Sequence, residues 1–386
     1  MKICLINNLY KPFNRGGAEK VSEIIIQGLI KAGHDVFIIT TRPRDKELPI
    51  ADSKLRIYYL NSLYYNLNKL PKFLRFFWQI WNLFNFSGYF KIKKILAAEK
   101  CEAVITNNLM GIGFLTPLAV KSLKIKYLHI AHDIQLIHPS GLMYYGEEGM
   151  INSFFAKVYS SVCGKLFAPA PAVIFPSRWL KDLYIKRNFF AQAKIEVLPN
   201  PVEIVPEQVS KRSGNFIFLF LGQIEKHKGV FLLIDAFNKI KEKYPEVELV
   251  LAGDGSRIKQ ARAKAVKNNN IKFLGWPGES AADKLLGAAD CLVYPSLVYE
   301  NCPNAIQRAL VAGLPVLASD LGGIPELLNQ NAGILFKPAD ADSLAEKMIW
   351  LIENKNSLGD LAQAGRQKAL DFKVEDYIKE LGKIIK

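Results

Sequence analysis

Short apolar runs alternate with stretches of helical periodicity along the chain, and the alternation occurs twice. In the first half, strands are predicted at 2–7, 35–40, 55–60, 103–106, 127–131 and 173–176, with helices over 18–31, 112–122 and 151–165. In the second half, strands are predicted at 216–221, 248–252, 271–274, 291–294, 316–318 and 333–336, separated by helices over 230–243, 256–267, 304–312 and 343–354. Strands apolar on both faces and separated by helices build parallel sheets covered on both sides. A Pro- and Ser-bearing stretch, 199–214, parts the two series. The expected fold is therefore α/β: two Rossmann-like, doubly wound domains, 1–200 and 201–370, facing a central cleft. Its 386 residues suffice for two cores of this kind. Ligands of such sheets bind outside the carboxyl ends of the strands, so the loops after strands are where chemistry is sought.

Charge divides the chain in the same place. Residues 1–200 hold 27 Lys and Arg against 13 Asp and Glu, whereas 201–386 hold the remaining 24 and 23. The first half should thus face something anionic. No recognition motif supports nucleic acid. Five Cys without C-x-x-C spacing argue against a disulfide framework and a Cys-type zinc site, and for a reducing cytoplasm. No signal peptide is predicted. The phosphate loop G-x-x-x-x-G-K-[ST], G-x-G-x-x-G after a strand, H-E-x-x-H and G-x-S-x-G are all missing. ATPase, simple dehydrogenase, zinc protease and serine hydrolase readings lose their support. Asp340-Ala341-Asp342 precedes a helix and reads as a cap rather than a metal site.

Three loops carry candidate chemistry. The first strand leads into Arg15-Gly16-Gly17-Ala18-Glu19 at a helix start, where glycines admit a ligand to the backbone and a helix N-terminus favours phosphate. An ordinary strand-to-helix turn would look the same. The first strand of the second half leads into Gly222-Gln223-Ile224-Glu225-Lys226-His227-Lys228-Gly229, in which Lys228 is placed to clamp a phosphate. After another apolar strand, Pro295-Ser296 runs through Glu300-Asn301-Cys302-Pro303-Asn304 into a helix. A carboxylate at Glu300 suits sugar hydroxyls, which need acceptors.

In this order the pieces resemble a retaining glycosyltransferase of family 4 with the GT-B fold, over essentially the whole chain. The most specific parts are 220–229, Leu251-Ala252-Gly253-Asp254-Gly255, and 295–326 with its Gly322-Gly323-Ile324-Pro325-Glu326. The resemblance implies a nucleotide-sugar donor on the second domain, a lipid-linked or glycan acceptor on the first, no cofactor and no required metal. It also implies a last helix, after about 371, that crosses back onto the first domain. By position, Gly16 and Gly17 would lie against the donor diphosphate or acceptor, and Lys228 would bind the diphosphate in the Gly222-Gln223 loop. Glu300 would hold donor sugar hydroxyls, supported by the backbone at Asn301, Cys302 and Pro303. Gly275-Trp276 would cover the base, and His132 in Ile130-Ala131-His132-Asp133 would reach the donor sugar. No carboxylate nucleophile is visible, so a front-face, oxocarbenium-like route is implied.

Two positions depart from the family. Gln223 stands where the pattern has Arg, and Arg308 stands eight residues after Glu300, where it has a ribose-binding Glu. Either Arg308 replaces the lost cation, converging with Gln223 and Lys228 on one pocket, or both changes mark a weakened relative that binds membranes or partners in glycan assembly. A further expectation concerns 63–100. Arg75, Gln79, Asn82 and Asn85 fall on one narrow helical face, with aromatic and aliphatic residues from Phe73 to Phe86 around the remainder and Lys69, Lys72, Lys91, Lys93 and Lys94 flanking. This segment is expected on an anionic membrane surface, placing the protein peripherally on the inner face of the cell membrane. The alternative is a helix buried against the first sheet.

Overall fold

The computed structural model describes residues 1–13, 16–44, 55–69, 71–204 and 214–385, the side chains of 68, 69, 72, 73 and 76 excepted. Arg15 and part of the expected hinge, 205–213, lie outside these residues. The chain forms two compact units. The first comprises 1–142, 149–201 and 374–386, and the second 143–148 and 202–373. The divisions therefore fall at 201/202 and 373/374, and six residues of the first half, 143–148, belong to the second unit.

In the first unit the described strands are β1 (Lys2–Ile6), β2 (Asp35–Arg42), β3 (Arg56–Asn61), β4 (Ala103–Thr106), β5 (Lys126–Ile130), β6 (Ala172–Phe175) and β7 (Lys194–Val197). They form one sheet in the order β3-β2-β1-β4-β5-β6-β7, paired parallel throughout. Its helices are α1 (Gly17–Lys31), α2 (Lys72–Leu83), α3 (Phe86–Ala98), α4 (Thr116–Ser122), α5 (Phe154–Phe167) and α6 (Arg178–Ile185). Ile3 and Leu5 of β1, Ile38 of β2, Ile105 of β4 and Leu128 of β5 are buried with Val21, Ile25, Ile26 and Leu29 of α1. Each such side chain contributes about 1.5–3 kcal/mol on leaving water.

In the second unit, β8 (Ile217–Leu221), β9 (Glu248–Ala252), β10 (Ile271–Gly275), β11 (Cys291–Tyr294), β12 (Val316–Ser319) and β13 (Ile334–Phe336) form a parallel sheet in the order β10-β9-β8-β11-β12-β13. The helices are α7 (Val230–Ile240), α8 (Ile258–Ala265), α9 (Glu279–Ala288), α10 (Asn304–Ala312), α11 (Ile324–Leu327), α12 (Ala341–Glu353) and α13 (Leu358–Ala369). The apolar stripe of α7, Val230, Leu233, Ile234, Phe237 and Ile240, is buried, as its i, i+3, i+4 spacing requires. Asp340 caps α12 by accepting the backbone N–H groups of Asp342 and Ser343, as its position before the helix led one to expect.

The last helix, α14 (Val374–Ile385), belongs to the first unit, where it packs on α1. Gly28 in the middle of α1 permits this, because a Cβ there would stand 2.6 Å from Cγ1 of Ile378. Tyr377, Ile378 and Leu381 enter the same core as β1 and α1.

Each sheet reverses its winding once, between β1 and β4 in the first unit and between β8 and β11 in the second. At such a switch point the connections leave to opposite faces and open a crevice at the carboxyl ends of the two strands. The loops after β1, β8 and β11 are the three that the sequence marks for chemistry.

Candidate active site

In the second unit, Gly229 makes the geometry possible. Residues 226–228 form one turn of 3-10 helix, and Gly229 both closes it and starts α7 with φ 74°. A Cβ at 229 would lie 1.7 Å from the carbonyl oxygen of Pro295, so only glycine fits there. Gly253 sits equally close to the Gly222 carbonyl, so the loop after β9 runs alongside the loop after β8. The turn delivers Lys228 to the loop after β11. Its Nζ lies 2.6 Å from Oε1 of Glu300 and 3.3 Å from the Tyr294 hydroxyl. Tyr294 donates to the same carboxylate oxygen at 3.1 Å, and Ser296 Oγ lies 3.4 Å from it.

Electrostatics makes this an ion pair. Burial works against the charge on Lys228, but the Glu300 carboxylate outweighs it and holds the ammonium well above its ordinary value. Burial likewise works against charge on Glu300, and Lys228 with the Tyr294 hydroxyl pulls the carboxyl below its ordinary value. Both side chains remain about one-fifth exposed, at 21% and 19%. Cation and carboxylate are thus held side by side at the switch point of the sheet, each open to replacement of its partner by a ligand.

The Glu300 backbone is fixed from β12. Gly323 N–H donates to its carbonyl at 2.7 Å, and Gly322, with φ 67°, passes so close that a Cβ would lie 2.3 Å from that oxygen. Tyr294, Ser296 and this glycine turn are the parts that sequence reasoning left without a role. The Gly322-Gly323 pair was visible as a motif, whereas Tyr294 reads as one more apolar strand residue.

The other expected residues fall as follows. Cys302 is buried, and Pro303 occupies the N-cap position of α10 with Asn301 shortly before it. Gly275 ends β10 with φ 73°, and Trp276 after it is 62% exposed. Gln223 lies in the loop after β8, half-buried. Arg308 on α10 pairs with Asp283 of α9 at 2.5 Å and donates to the Glu279 carbonyl at 3.3 Å. Its described bonds run to α9, in a cluster separate from that of Lys228, and the expected convergence of the two cations is not what these contacts build.

In the first unit, Gly16 and Gly17 are exposed at the N-terminus of α1, after β1. His132 follows β5 and lines a cavity of about 20 Å³ together with Asn107, His129 and Asp133. That volume suits one water molecule. Asn107 is fixed by donating to Ser22 Oγ at 2.7 Å, and its buried Oδ1 has no hydrogen-bond partner among the described residues. Burial pushes His132 down to about 4 and Asp133 up to about 6. His129 falls to about 3, through burial first and then through its neighbour His132. At neutral pH both imidazoles are uncharged, able to donate from one nitrogen and accept at the other. The His132 loop is anchored from below by two buried tyrosines: Tyr184 donates to the Asp133 carbonyl at 2.9 Å, and Tyr159 to the Gln135 carbonyl at 3.0 Å.

Comparison with known proteins identifies the family. The family model described as Glycosyltransferase Family 4 matches residues 15–205, and that described as Glycosyl transferases group 1 matches 202–368. The chain belongs to the family 4-type glycosyltransferases of GT-B fold. Among its relatives, an uncharacterized 42.6 kDa protein in the cps region of Klebsiella pneumoniae is 27% identical over 340 residues, covering 85% of this chain and 87% of that protein. The phosphatidylinositol N-acetylglucosaminyltransferase gpi3 subunit of Schizosaccharomyces pombe is 24% identical over 352 residues, covering 87% of this chain and 70% of that protein. Among solved structures, Anabaena Alr3699/HepE in complex with UDP and glucose superposes with a TM-score of 0.74 at 19% identity, covering 99% of this chain and 98% of that one. Lys228 and Glu300, paired at 2.6 Å, both lie within the range matched by the second of these family models.

The segment 63–100 differs from a single amphipathic helix. It breaks at Phe84 into α2 and α3, with Asn85 capping α3 through Gly88 N–H. The polar residues are on the inside. Asn82 accepts Gly111 N–H at 2.7 Å, Asn85 donates to the Ile112 carbonyl at 2.8 Å, and the two are only 1% and 5% exposed. The apolar residues divide: Trp78, Leu83, Ile92 and Leu96 are buried, whereas Phe77 at 63%, Phe86 at 63%, Phe90 at 66%, and Leu74, Ile80, Trp81 and Phe84 are exposed. Lys91 and Lys94 are exposed on the same stretch. The side chains of Lys69, Lys72, Phe73 and Phe76 lie outside the described set. Among the described residues no helix is long and apolar enough to cross a membrane.

Proposed function

We propose that this glycosyltransferase moves a hexose from a nucleotide-sugar donor to a lipid-linked or glycan acceptor with retention of anomeric configuration. The observation that carries the reading is the Lys228–Glu300 pair at the β8/β11 switch point. A nucleotide sugar offers each member a further partner: the diphosphate is anionic and suits Lys228, and the sugar hydroxyls donate to Glu300. Departure of the diphosphate places negative charge on a phosphate oxygen, which Lys228 stabilises without a required metal. Gly222 and Gln223 line the diphosphate loop, Gly16 and Gly17 approach the diphosphate or acceptor, and the backbone at Asn301, Cys302 and Pro303 supports sugar and phosphate. Gly275 and Trp276 cover the base. Neutral His132 serves the donor sugar as donor and acceptor at once. A front-face, oxocarbenium-like route is the one that the resemblance to retaining enzymes implies. UDP-glucose, bound by the Anabaena protein, is the first donor to try. The names of the Klebsiella cps-region relative and of the Bacillus subtilis putative teichuronic acid biosynthesis glycosyltransferase TuaC support a role in polysaccharide assembly.

We further propose that the protein is cytoplasmic and sits on the inner face of the cell membrane through α2 and α3. The support is the row of exposed aromatic and aliphatic side chains, Leu74, Phe77, Ile80, Trp81, Phe84, Phe86 and Phe90, beside exposed lysines, while Asn82 and Asn85 are held inside. A weakened, purely binding role draws on Gln223 and Arg308. The salt bridge of Arg308 to Asp283 gives that arginine a structural reason of its own. Incubation with a panel of nucleotide sugars and a polyprenyl-phosphate-linked sugar decides: the enzyme releases nucleoside diphosphate and extends the acceptor, whereas no consumption of any donor would support the binding role.

A further inference from the structure

Residues 143–148 leave the first unit after Leu142, join the second, and return at Gly149. Within the second unit they lie beside the residues just before Glu300. Tyr144 forms an antiparallel bridge with Val298. Tyr145 N–H donates to the Leu297 carbonyl at 3.0 Å, and Tyr299 N–H donates to the Met143 carbonyl at 2.9 Å. Val298 and Met143 are both buried in this pairing, 1% and 4% exposed. The segment then turns on itself, Glu147 N–H to the Tyr144 carbonyl at 3.1 Å, with Gly146 at φ 82°. The turn brings back Glu148, whose Oε1 accepts Gly146 N–H at 2.8 Å and the Tyr299 hydroxyl at 2.7 Å.

The loop 296–300 is therefore held from three directions. Leu297 N–H donates to the His227 carbonyl of the diphosphate loop at 2.9 Å, the Glu300 carbonyl accepts from Gly323, and the Leu297 carbonyl and Tyr299 N–H are taken by 143–148. Glu300 is the next residue along, and a site must hold its groups to about 0.5 Å to work. Charge-assisted bonds to a carboxylate are about twice as strong as neutral ones, so Glu148 is the firmest attachment in the set.

We propose that residues 143–148 are a strap that positions Glu300 for the donor sugar, and that the hydrogen bond from Tyr299 to Glu148 is its latch. The proposal rests on the reading of Glu300 as the carboxylate that holds the donor sugar. Glu148 and Tyr299 touch no reacting atom and are positioning residues. The strap makes the sugar loop of the second unit depend on residues that the sequence places between β5 and α5 of the first.

The test compares the full chain with Glu148→Ala, Glu148→Gln and Tyr299→Phe. Hydrogen–deuterium exchange is followed in the ligand-free proteins over the peptide spanning 295–302. Glu148→Ala and Tyr299→Phe should exchange about tenfold faster there, the effect of losing one hydrogen bond to a charged group, with the β8 peptide unchanged. Glu148→Gln, whose amide oxygen still accepts both bonds but without the charge, should exchange at a rate between those of wild type and Glu148→Ala. Titration with UDP and with UDP-glucose then reads the consequence: Glu148→Ala should weaken UDP-glucose more than UDP, because the strap holds the sugar loop and not Lys228. Unchanged exchange in both Glu148→Ala and Tyr299→Phe would overturn the strap. Faster exchange with an unaltered ratio of the two affinities would overturn its positioning role. Failure of the wild type to bind either nucleotide would count against the donor reading, whereas the exchange result judges the strap by itself.

Discussion

Replacing Lys228 by methionine should separate the structural from the chemical role of the Lys228–Glu300 pair. Deleting one partner of a fully buried ion pair costs about 3–5 kcal/mol, because the other charge is left uncompensated. Here both side chains are about one-fifth exposed, and Glu300 keeps the hydroxyls of Tyr294 at 3.1 Å and Ser296 at 3.4 Å. The expected loss is therefore nearer ~2 kcal/mol, or a fall of about 4–8 °C in the midpoint of thermal unfolding. The pH dependence has a definite sign. Glu300 titrates below its ordinary 4.5 in the folded chain, so its share of the stability is present above that value and is lost as the pH falls through the depressed one. Lys228 titrates above its ordinary 10.5, so its share is present below that value and is lost as the pH rises through the elevated one. Wild type and Lys228→Met should thus differ most between about pH 4.5 and 10.5 and converge in acid, where Glu300 is protonated in both. Adding Glu300→Gln should restore most of the midpoint, since no charge is then left unpaired, but should restore no transfer activity. Differential scanning calorimetry across this pH range, with donor turnover alongside, measures both. An unchanged midpoint and unchanged turnover in Lys228→Met would show that the pair neither stabilises the fold nor serves the transfer.

His132 should stay neutral down to about pH 4. Its folded value lies below the ordinary 6.5, so its contribution to stability is present above 6.5 and lost as the pH falls toward 4, and nitrogen NMR of the imidazole should show no protonation at pH 6. Protonation there with a value near 6.5 would contradict the buried placement. Arg308→Ala should lower UDP affinity less than Lys228→Met does, because Arg308 is engaged with Asp283, and should cost stability by at most about 1 kcal/mol as a half-exposed pair. An affinity loss as large as that of Lys228→Met would instead make Arg308 the replacement for the cation missing at Gln223. Phe77→Ser with Phe90→Ser should abolish flotation with anionic vesicles while leaving the unfolding midpoint within about 1 °C, since both rings are exposed. Flotation equal to wild type would remove α2 and α3 from the membrane contact.

Much of this site can be read in the sequence for reasons that are local. An apolar run ending in Gly222, followed by Lys228-Gly229 and a new apolar periodicity, leaves few geometries other than a strand, a left-handed turn and a helix start. Glu300 is legible in the same way, ahead of Pro303 and α10. What escapes such reading is non-local. The strap joins Tyr144 to Val298, residues far apart in sequence, and nothing near either one signals the pairing. The spacing of Gln79, Asn82 and Asn85 shows that they lie near one another, but only the acceptors and donors at 110–112 decide that this face is the inner one. β7 is missed because it is an edge strand, half-exposed, with Lys194 and Glu196 in a run of four. Arg308 shows the limit of reasoning by position: the sequence indicates a reversed charge, and the structure supplies Asp283 on α9 as its partner.

Calorimetric titration of a panel of nucleotide sugars into the wild type and into the Lys228→Met, Glu300→Gln double variant tests whether the pair binds the donor, because the double variant should keep the fold while losing both charges of the pair. At least one nucleotide sugar should bind the wild type, and the same compound should bind the double variant at least about a hundredfold more weakly, the effect of about 2.8 kcal/mol in lost charge-assisted contacts. Equal binding by the two proteins, or no binding by the wild type, would contradict that role of the pair.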